Sequence, residues 1–221
     1  MAKVYLSPSD QESNVYAYDN TNEAVQCGRI AEACRAALER SGVEVKVGHM
    51  ISMAQKCSES NAFGADLHVP VHTNAFNGKV MGTRMFCYSA GGKGMAACKA
   101  IFARLAPITP GESENIQVNA DYYEVRVPAA PTAYIECEFH DTVDGAKWIV
   151  ENTVLIGETI ARGICDYFGV TFKEPEQPKP PAGATIYRVQ VGAYTKKENA
   201  ENMLTKLKKD GYNGFIVEGK P

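Results

Sequence analysis

Three residues in this chain could do chemistry together. His72 closes the stretch "ADLHVPVHTNA", where an apolar strand-like run gives way to the loop Thr73-Asn74-Ala75-Phe76-Asn77-Gly78. Glu23 opens a helical pattern just after the loop that follows the first strand-like run, and Glu136 stands at the end of "TAYIE", again where a strand gives out. One imidazole and two carboxylates delivered to one sheet edge suit zinc-assisted hydrolysis: His and Glu hold the metal, an open position takes water, and a second Glu removes the water's proton. Taken singly, a histidine in an apolar strand is more often a satisfied core residue, and a glutamate opening a helix often only complements the helix dipole. Glu136 is harder to dismiss, because a carboxylate among Tyr134, Ile135 and Cys137 is costly to bury without a partner.

The segments that carry these residues alternate in type. "KVYLS", "VEVKV", "DLHVPVH", "GTRMFCYS", "YEVRV" and "TAYIECEF" read as strands. "NEAVQCGRIAEACRAALERSG", "KGMAACKAIFARL" and "GAKWIVENTVLIGETIARGICDYFG" read as amphipathic helices, and a polar stretch before "DLHVPVH" reads as another. Alternation of this kind predicts an α/β fold, a mostly parallel sheet flanked by helices, with functional side chains gathered at the carboxyl ends of the strands.

Composition sets the frame. The 221 residues are 45% hydrophobic and 22% charged, enough for one filled core and a small appendage. A net charge of -3 gives no basic footprint for nucleic acid. No apolar run reaches a membrane span, and "MAKVYLSPSDQ" lacks the pattern of a secretory signal, so synthesis in the cytoplasm without a signal peptide is expected. Seven scattered cysteines with no C-x-x-C pair read as reduced, mostly buried thiols.

Glu23 within "TNEAVQCGRIA", the run "ADLHVPVHTNAFNG", and "YEVRVPAAPTAYIECEF" followed by "DGAKWI" resemble, in order and spacing, the motifs of zinc-dependent N-acetylmuramoyl-L-alanine amidases of the amidase-3 family. The likeness runs from about Lys3 to Val170 and is similar in style to phage and prophage endolysins. It implies Glu23 and His72 as zinc ligands, Glu136 as the catalytic glutamate, and Arg126 and Asn74 on the substrate side. Family members usually end strand one in a turn whose histidine is the first ligand, whereas this chain reads "LSPSDQ". Three residues are candidates for the third ligand. His140, in the loop after Glu136, is favoured; Asp10 keeps the family position; His68 lies about 13 Å behind His72 on the same strand face at ~3.3 Å per residue, too far to share one metal. His49 reads as a surface histidine. The resemblance implies a wall lysin cutting the bond between N-acetylmuramic acid and L-alanine in bacterial peptidoglycan after release from the cell. Two rivals stand beside it: a non-catalytic wall-binding protein, and a host amidase of sporulation or wall turnover.

After the catalytic body (1–171), "FKEPEQPKPPAGA" (172–184) reads as a proline-rich linker. The tail from Thr185 onward carries seven basic against four acidic residues, a net of +3. It reads strand, helix, strand, with Tyr187-Val189-Val191 and "GFIV" as the strands around a helix bearing Ala200, Met203, Leu204 and Leu207. "YRVQVGAYTKKENAENMLTKLKKDGY" resembles the first half of a SPOR domain, a small α+β module that binds glycan strands, and implies a truncated wall-binding segment at 185–221. An unpaired edge strand there invites pairing with a second copy, so a homodimer through the tail is expected.

Overall fold

The computed structural model describes residues 1–114, 116–175, 189–209, 212 and 214–219. Six strands form one sheet: β1 (Lys3–Pro8), β2 (Glu44–Val47), β3 (Leu67–Asn74), β4 (Arg84–Cys87), β5 (Gln117–Val118) and β6 (Tyr134–Phe139). Their order is β2-β1-β3-β6-β4-β5. Every pairing is parallel except β4 with β6, which is antiparallel. The sheet is therefore mostly parallel, as the alternating pattern predicts.

The two faces of this sheet differ. Val4 and Leu6 of β1, Val69 and Val71 of β3, Met85 and Cys87 of β4, and Ile135 and Cys137 of β6 alternate onto one face and are buried in a single apolar core. Helices α1 (Glu23–Arg40), α3 (Gly92–Leu105) and α5 (Val143–Phe168) supply the other side of that core. α5 can lie close to both neighbours because it carries glycine at the crossings: a Cβ on Gly157 would meet Ile30 O of α1 at 2.5 Å, and one on Gly163 would meet Ile101 Cα of α3 at 2.5 Å. On the opposite face stand Tyr5 and Ser7, His68 and His72, Tyr134 and Glu136, at alternate positions of β1, β3 and β6. Two short helices, α2 (Met53–Phe63) and α4 (Tyr123–Arg126), cover the rear of this polar face: Glu59 accepts from Tyr5 Oη, and Glu124 from Ser7 Oγ.

One segment corrects the sequence reading. "YEVRV" forms α4, not a strand, and its Glu124 and Val125 are both buried although adjacent, which strand alternation would not allow.

The chain divides into two compact units, Met1–Pro175 and Glu176–Pro221. The first extends to Pro175 because Lys173 N donates to Ser41 Oγ, and Phe172 lies under the guanidinium groups of Arg40 and Arg162. In the second unit, α6 (Lys197–Lys209) is the helix expected there. Val189, Val191 and the "GFIV" run, expected as strands, have no strand structure; Tyr187 lies outside the described residues.

Candidate functional site

Strand register assembles the site. His72 of β3 lies opposite Glu136 of β6 in the parallel pairing, so both side chains leave the same face side by side. Glu23 arrives from the first turn of α1, whose start is fixed by Asn22, its side chain accepting from Val25 N. Glu23 Oε1 sits 2.9 Å from His72 Nδ1 and also accepts from Thr73 N at 3.3 Å. Its other oxygen accepts from Asn14 Nδ2 at 2.6 Å. Tyr134 stacks on the His72 ring, centroids 4.8 Å apart, and is itself packed against Phe86 and Tyr122, which fixes the imidazole's orientation.

These neighbours set the charges. Burial would push the Glu23 carboxyl up, but the His72 hydrogen bond and charge, with Asn14 and Ser9 donating, outweigh it and hold it below the usual range. Burial would lower His72, yet the bond to Glu23 and the charges of Glu136 and Glu23 leave it raised. Glu136 is different. Burial, abetted by the Glu23 charge and opposed by His72, pushes its carboxyl up to about 8. Among the described residues its Oε2 has no hydrogen-bond partner, nor has His72 Nε2, though both are buried. A carboxyl poised near neutrality beside an ionic pair is the arrangement of a group that takes up and gives back a proton.

The other candidates have partners of their own. His140 gives Nδ1 to a contact of 3.0 Å with Thr73 Oγ1 and stacks on Tyr16, centroids 4.9 Å apart. Asp10 accepts from Met50 N and Ile51 N and pairs with the buried Lys56 ammonium at 2.6 Å, so it fastens the "SPSD" turn to the segment before α2. Asn74 Oδ1 accepts from Ala75 N, capping the loop after β3. Arg126 is exposed on α4 and makes no hydrogen bond or ion pair with Glu136 among the described residues. His49 is exposed, near Asp10. His68 is sealed, its Nε2 3.2 Å from Glu124 Oε1 and its ring stacked on Tyr5. With Cys57 these two present ligand-type atoms all within 4.8 Å of one another, the set among the described residues that meets that spacing.

Two residues escaped the sequence reading. Gln11 brings its amide nitrogen to 3.5 Å from His72 Nδ1, and Asn14 bridges Gln11 Oε1 (3.0 Å) and Glu23. Their signal was positional only: "SDQESN" occupies the turn where a ligand was missing.

Comparison with known proteins bears on this arrangement. Residues 9–166 match the N-acetylmuramoyl-L-alanine amidase family, and residues 169–218 match the SPOR domain. The sporulation-specific N-acetylmuramoyl-L-alanine amidase of Bacillus subtilis (strain 168) is 22% identical over 98% of this chain and 85% of its own. The catalytic domain of the amidase CwlV from Bacillus (Paenibacillus) polymyxa var. colistinus superposes with a TM-score of 0.69 at 15% identity, over 77% of this chain and all of that one. The catalytic domain of an endolysin targeting Clostridia difficile gives 0.63 at 18% identity, over 75% and 98%. The fold is thus shared with amidase catalytic domains, and with the greater part of its length matched, this chain belongs to the N-acetylmuramoyl-L-alanine amidase family and carries a SPOR domain match at its C-terminus.

Proposed function

We propose that this protein hydrolyses the amide bond between N-acetylmuramic acid and L-alanine in bacterial peptidoglycan, with zinc held at Glu23 and His72 and Glu136 as the catalytic base. The observation that carries this reading is Glu136: a buried carboxyl with one unpartnered oxygen, raised to about 8, beside the Glu23–His72 pair. The pair suits a metal. Two ligand atoms of a tetrahedral zinc lie roughly 3.3 Å apart when each bond is about 2.0–2.1 Å, and Glu23 Oε1 and His72 Nδ1 are 2.9 Å apart. When bound there, zinc supplies Lewis acidity toward the scissile carbonyl and toward the attacking water.

The chain's own residues do the rest. Glu136 takes a proton from the water as it attacks and returns it to the nitrogen of the leaving L-alanine. Asn14, donating to Glu23 Oε2, keeps that carboxylate anionic and turned toward His72. Tyr134 holds the His72 ring in plane. The loop after β3 stands over the same edge, with Phe76 exposed at its tip and its backbone pinned by Asp141, which accepts from Phe76 N and Gly78 N. Asn74, in the loop after β3, is assigned to the substrate side of this edge, and the resemblance implies the same of Arg126, which α4 carries at the rear of the face. The basic helix α6 and the SPOR match support a wall-binding role for the tail.

A phage-type lysin is the finer reading, supported by the motif style and by the likeness to an endolysin catalytic domain. A host sporulation amidase is the second, because the Bacillus subtilis relative aligns over 98% of this chain, both units included. In either case purified protein should release L-alanine amino termini from peptidoglycan, lose that activity on chelation, and regain it with added zinc. Release that survives complete chelation would remove zinc from the mechanism, and no release under any metal condition would favour the binding-protein reading.

A further inference from the structure

We infer that the side-chain amide of Gln11 fills the third protein position at the Glu23–His72 site, where the resembling family places a histidine; the inference rests on the zinc reading above. Each other candidate is engaged. His140 is fixed by Thr73 through Nδ1, by Asn74 O through its backbone N–H at 2.8 Å and by Tyr16 through stacking, and among the described residues its ring makes no hydrogen bond to Glu23 or His72. Asp10 has both carboxylate oxygens occupied, Oδ1 by Met50 N at 2.6 Å and Oδ2 by Lys56 Nζ at 2.6 Å. His68 is closed in by Tyr5 and Glu124.

The anchoring of Asp10 is what presents Gln11. With the turn tied down by Lys56, which also donates to Pro8 O at 2.6 Å, and with Gln11 N held by Ser9 Oγ, the next side chain is thrown toward β3. Its amide comes to 3.5 Å from His72 Nδ1, the same nitrogen that Glu23 faces at 2.9 Å. Gln11, from the turn after β1, and Glu23, from α1, thus both approach the same nitrogen of a β3 histidine.

The orientation of the amide follows from its neighbours. The oxygen and nitrogen of a glutamine amide exchange by a half-turn about the last bond and are told apart only by what they face. At His72 Nδ1 the Glu23 carboxylate can only accept, so a proton, or a cation in its place, lies between them. The end of Gln11 that suits such a centre is the oxygen. Turning it there gives up the bond from Asn14 Nδ2, which is exposed and so can be replaced by water, while Asn14 keeps its 2.6 Å bond to Glu23. A neutral amide oxygen is a poorer zinc donor than an imidazole. The site should therefore hold zinc less tightly than one with a histidine at the same place.

The test is zinc affinity of the full-length protein, measured by competition with a chromophoric chelator, together with the absorption spectrum of the cobalt-substituted form. Gln11→Ala should weaken zinc binding about tenfold or more, the scale seen when a metal's close partners are removed. Gln11→His should tighten it and change the cobalt spectrum as nitrogen replaces oxygen. His140→Ala should leave affinity within about twofold of wild type. Because Gln11 is exposed, its replacement leaves the fold intact, to be checked by an unchanged circular dichroism spectrum. If the wild type binds zinc and Gln11→Ala binds it equally well, the assignment of Gln11 is wrong while the zinc reading stands. If the wild type binds no zinc, the proposed function itself fails and takes this inference with it.

Discussion

Two histidine–glutamate pairs stand on one face of β3, four residues apart, and they have opposite fates. His68 with Glu124 is closed on every side: the two side chains are 0% and 2% exposed, Tyr5 lies flat on the ring, and Ser7 donates to the carboxylate. His72 with Glu23 is 10% and 1% exposed, at the end of the strand, and beside it Glu136 keeps an oxygen with no partner. The chemistry of the two pairs is alike, since in both the carboxyl is held low against the pull of burial by a histidine and further donors. What differs is position along the strand. The rear pair sits under α2 and α4, whereas the front pair sits where strands run out into loops, the place where α/β folds put their ligands. An ion pair in the rear position contributes to a specific interior; the same pair in front has an open side and a base next to it.

Glu136 separates the front pair from the rear pair most sharply. Glu136→Gln should reduce wall hydrolysis by on the order of 10²- to 10⁴-fold, the usual worth of a general base, with zinc content unchanged. A variant that retained near wild-type rates would return Glu136 to the status of a buried structural residue.

Exchanging the two histidines sharpens the contrast next. His72→Ala should abolish zinc binding and activity, whereas His68→Ala should leave the zinc and activity of the folded protein in place. Each strips a buried carboxylate of its imidazole, Glu23 in one case and Glu124 in the other, so each should cost about 3 kcal/mol of stability, read as a lower denaturant midpoint. Equal loss of zinc in both variants would erase the distinction drawn between the pairs.

A smaller effect concerns pH. The Glu136 carboxyl moves from an ordinary 4.5 to about 8 on folding. Between those values the folded protein holds a proton that the unfolded chain has released, so this group makes the metal-free protein less stable as pH rises through that window. Metal-free Glu136→Gln should then be more stable than metal-free wild type, by an amount that grows from about pH 5 to pH 8 and levels off above. Parallel stability curves for the two proteins would show that the carboxyl is not perturbed.

The smallest expected change is none. Cys57, His68 and Glu124 have the spacing of a metal set, but the carboxylate already accepts from Ser7, the Lys56 ammonium acts on it, and the cluster is sealed. Cys57→Ser should leave zinc stoichiometry at one per chain. A fall from two to one would make the rear pair a second metal site.

Much of this was legible in the chain, for reasons that can be named. Strands β1, β3 and β6 announce themselves because one face is apolar at every second residue, and the same alternation puts His68, His72, Tyr134 and Glu136 on the other face together. The ~13 Å implied by four residues of strand already separated His68 from His72. Less was legible where few residues decide the structure. "YEVRV" alternates over too short a run to distinguish a strand from the single turn it forms, and the turn is decided by burial of adjacent Glu124 and Val125. Val189, Val191 and Phe215 to Val217 carry strand propensity but pair with no strand among the described residues. Gln11 and Asn14 were invisible for another reason: amides bear no charge and fit any turn, so only the anchoring of Asp10 by Lys56, a contact 46 positions apart, reveals where Gln11 points.

The most direct measurement is made on one set of samples: zinc per chain and release of L-alanine amino termini from purified peptidoglycan, for wild type and Glu136→Gln. One zinc in each, with release in the wild type alone, is the expected result. Release by Glu136→Gln at the wild-type rate would show that this buried carboxyl beside the Glu23–His72 pair is not the base of an amidase.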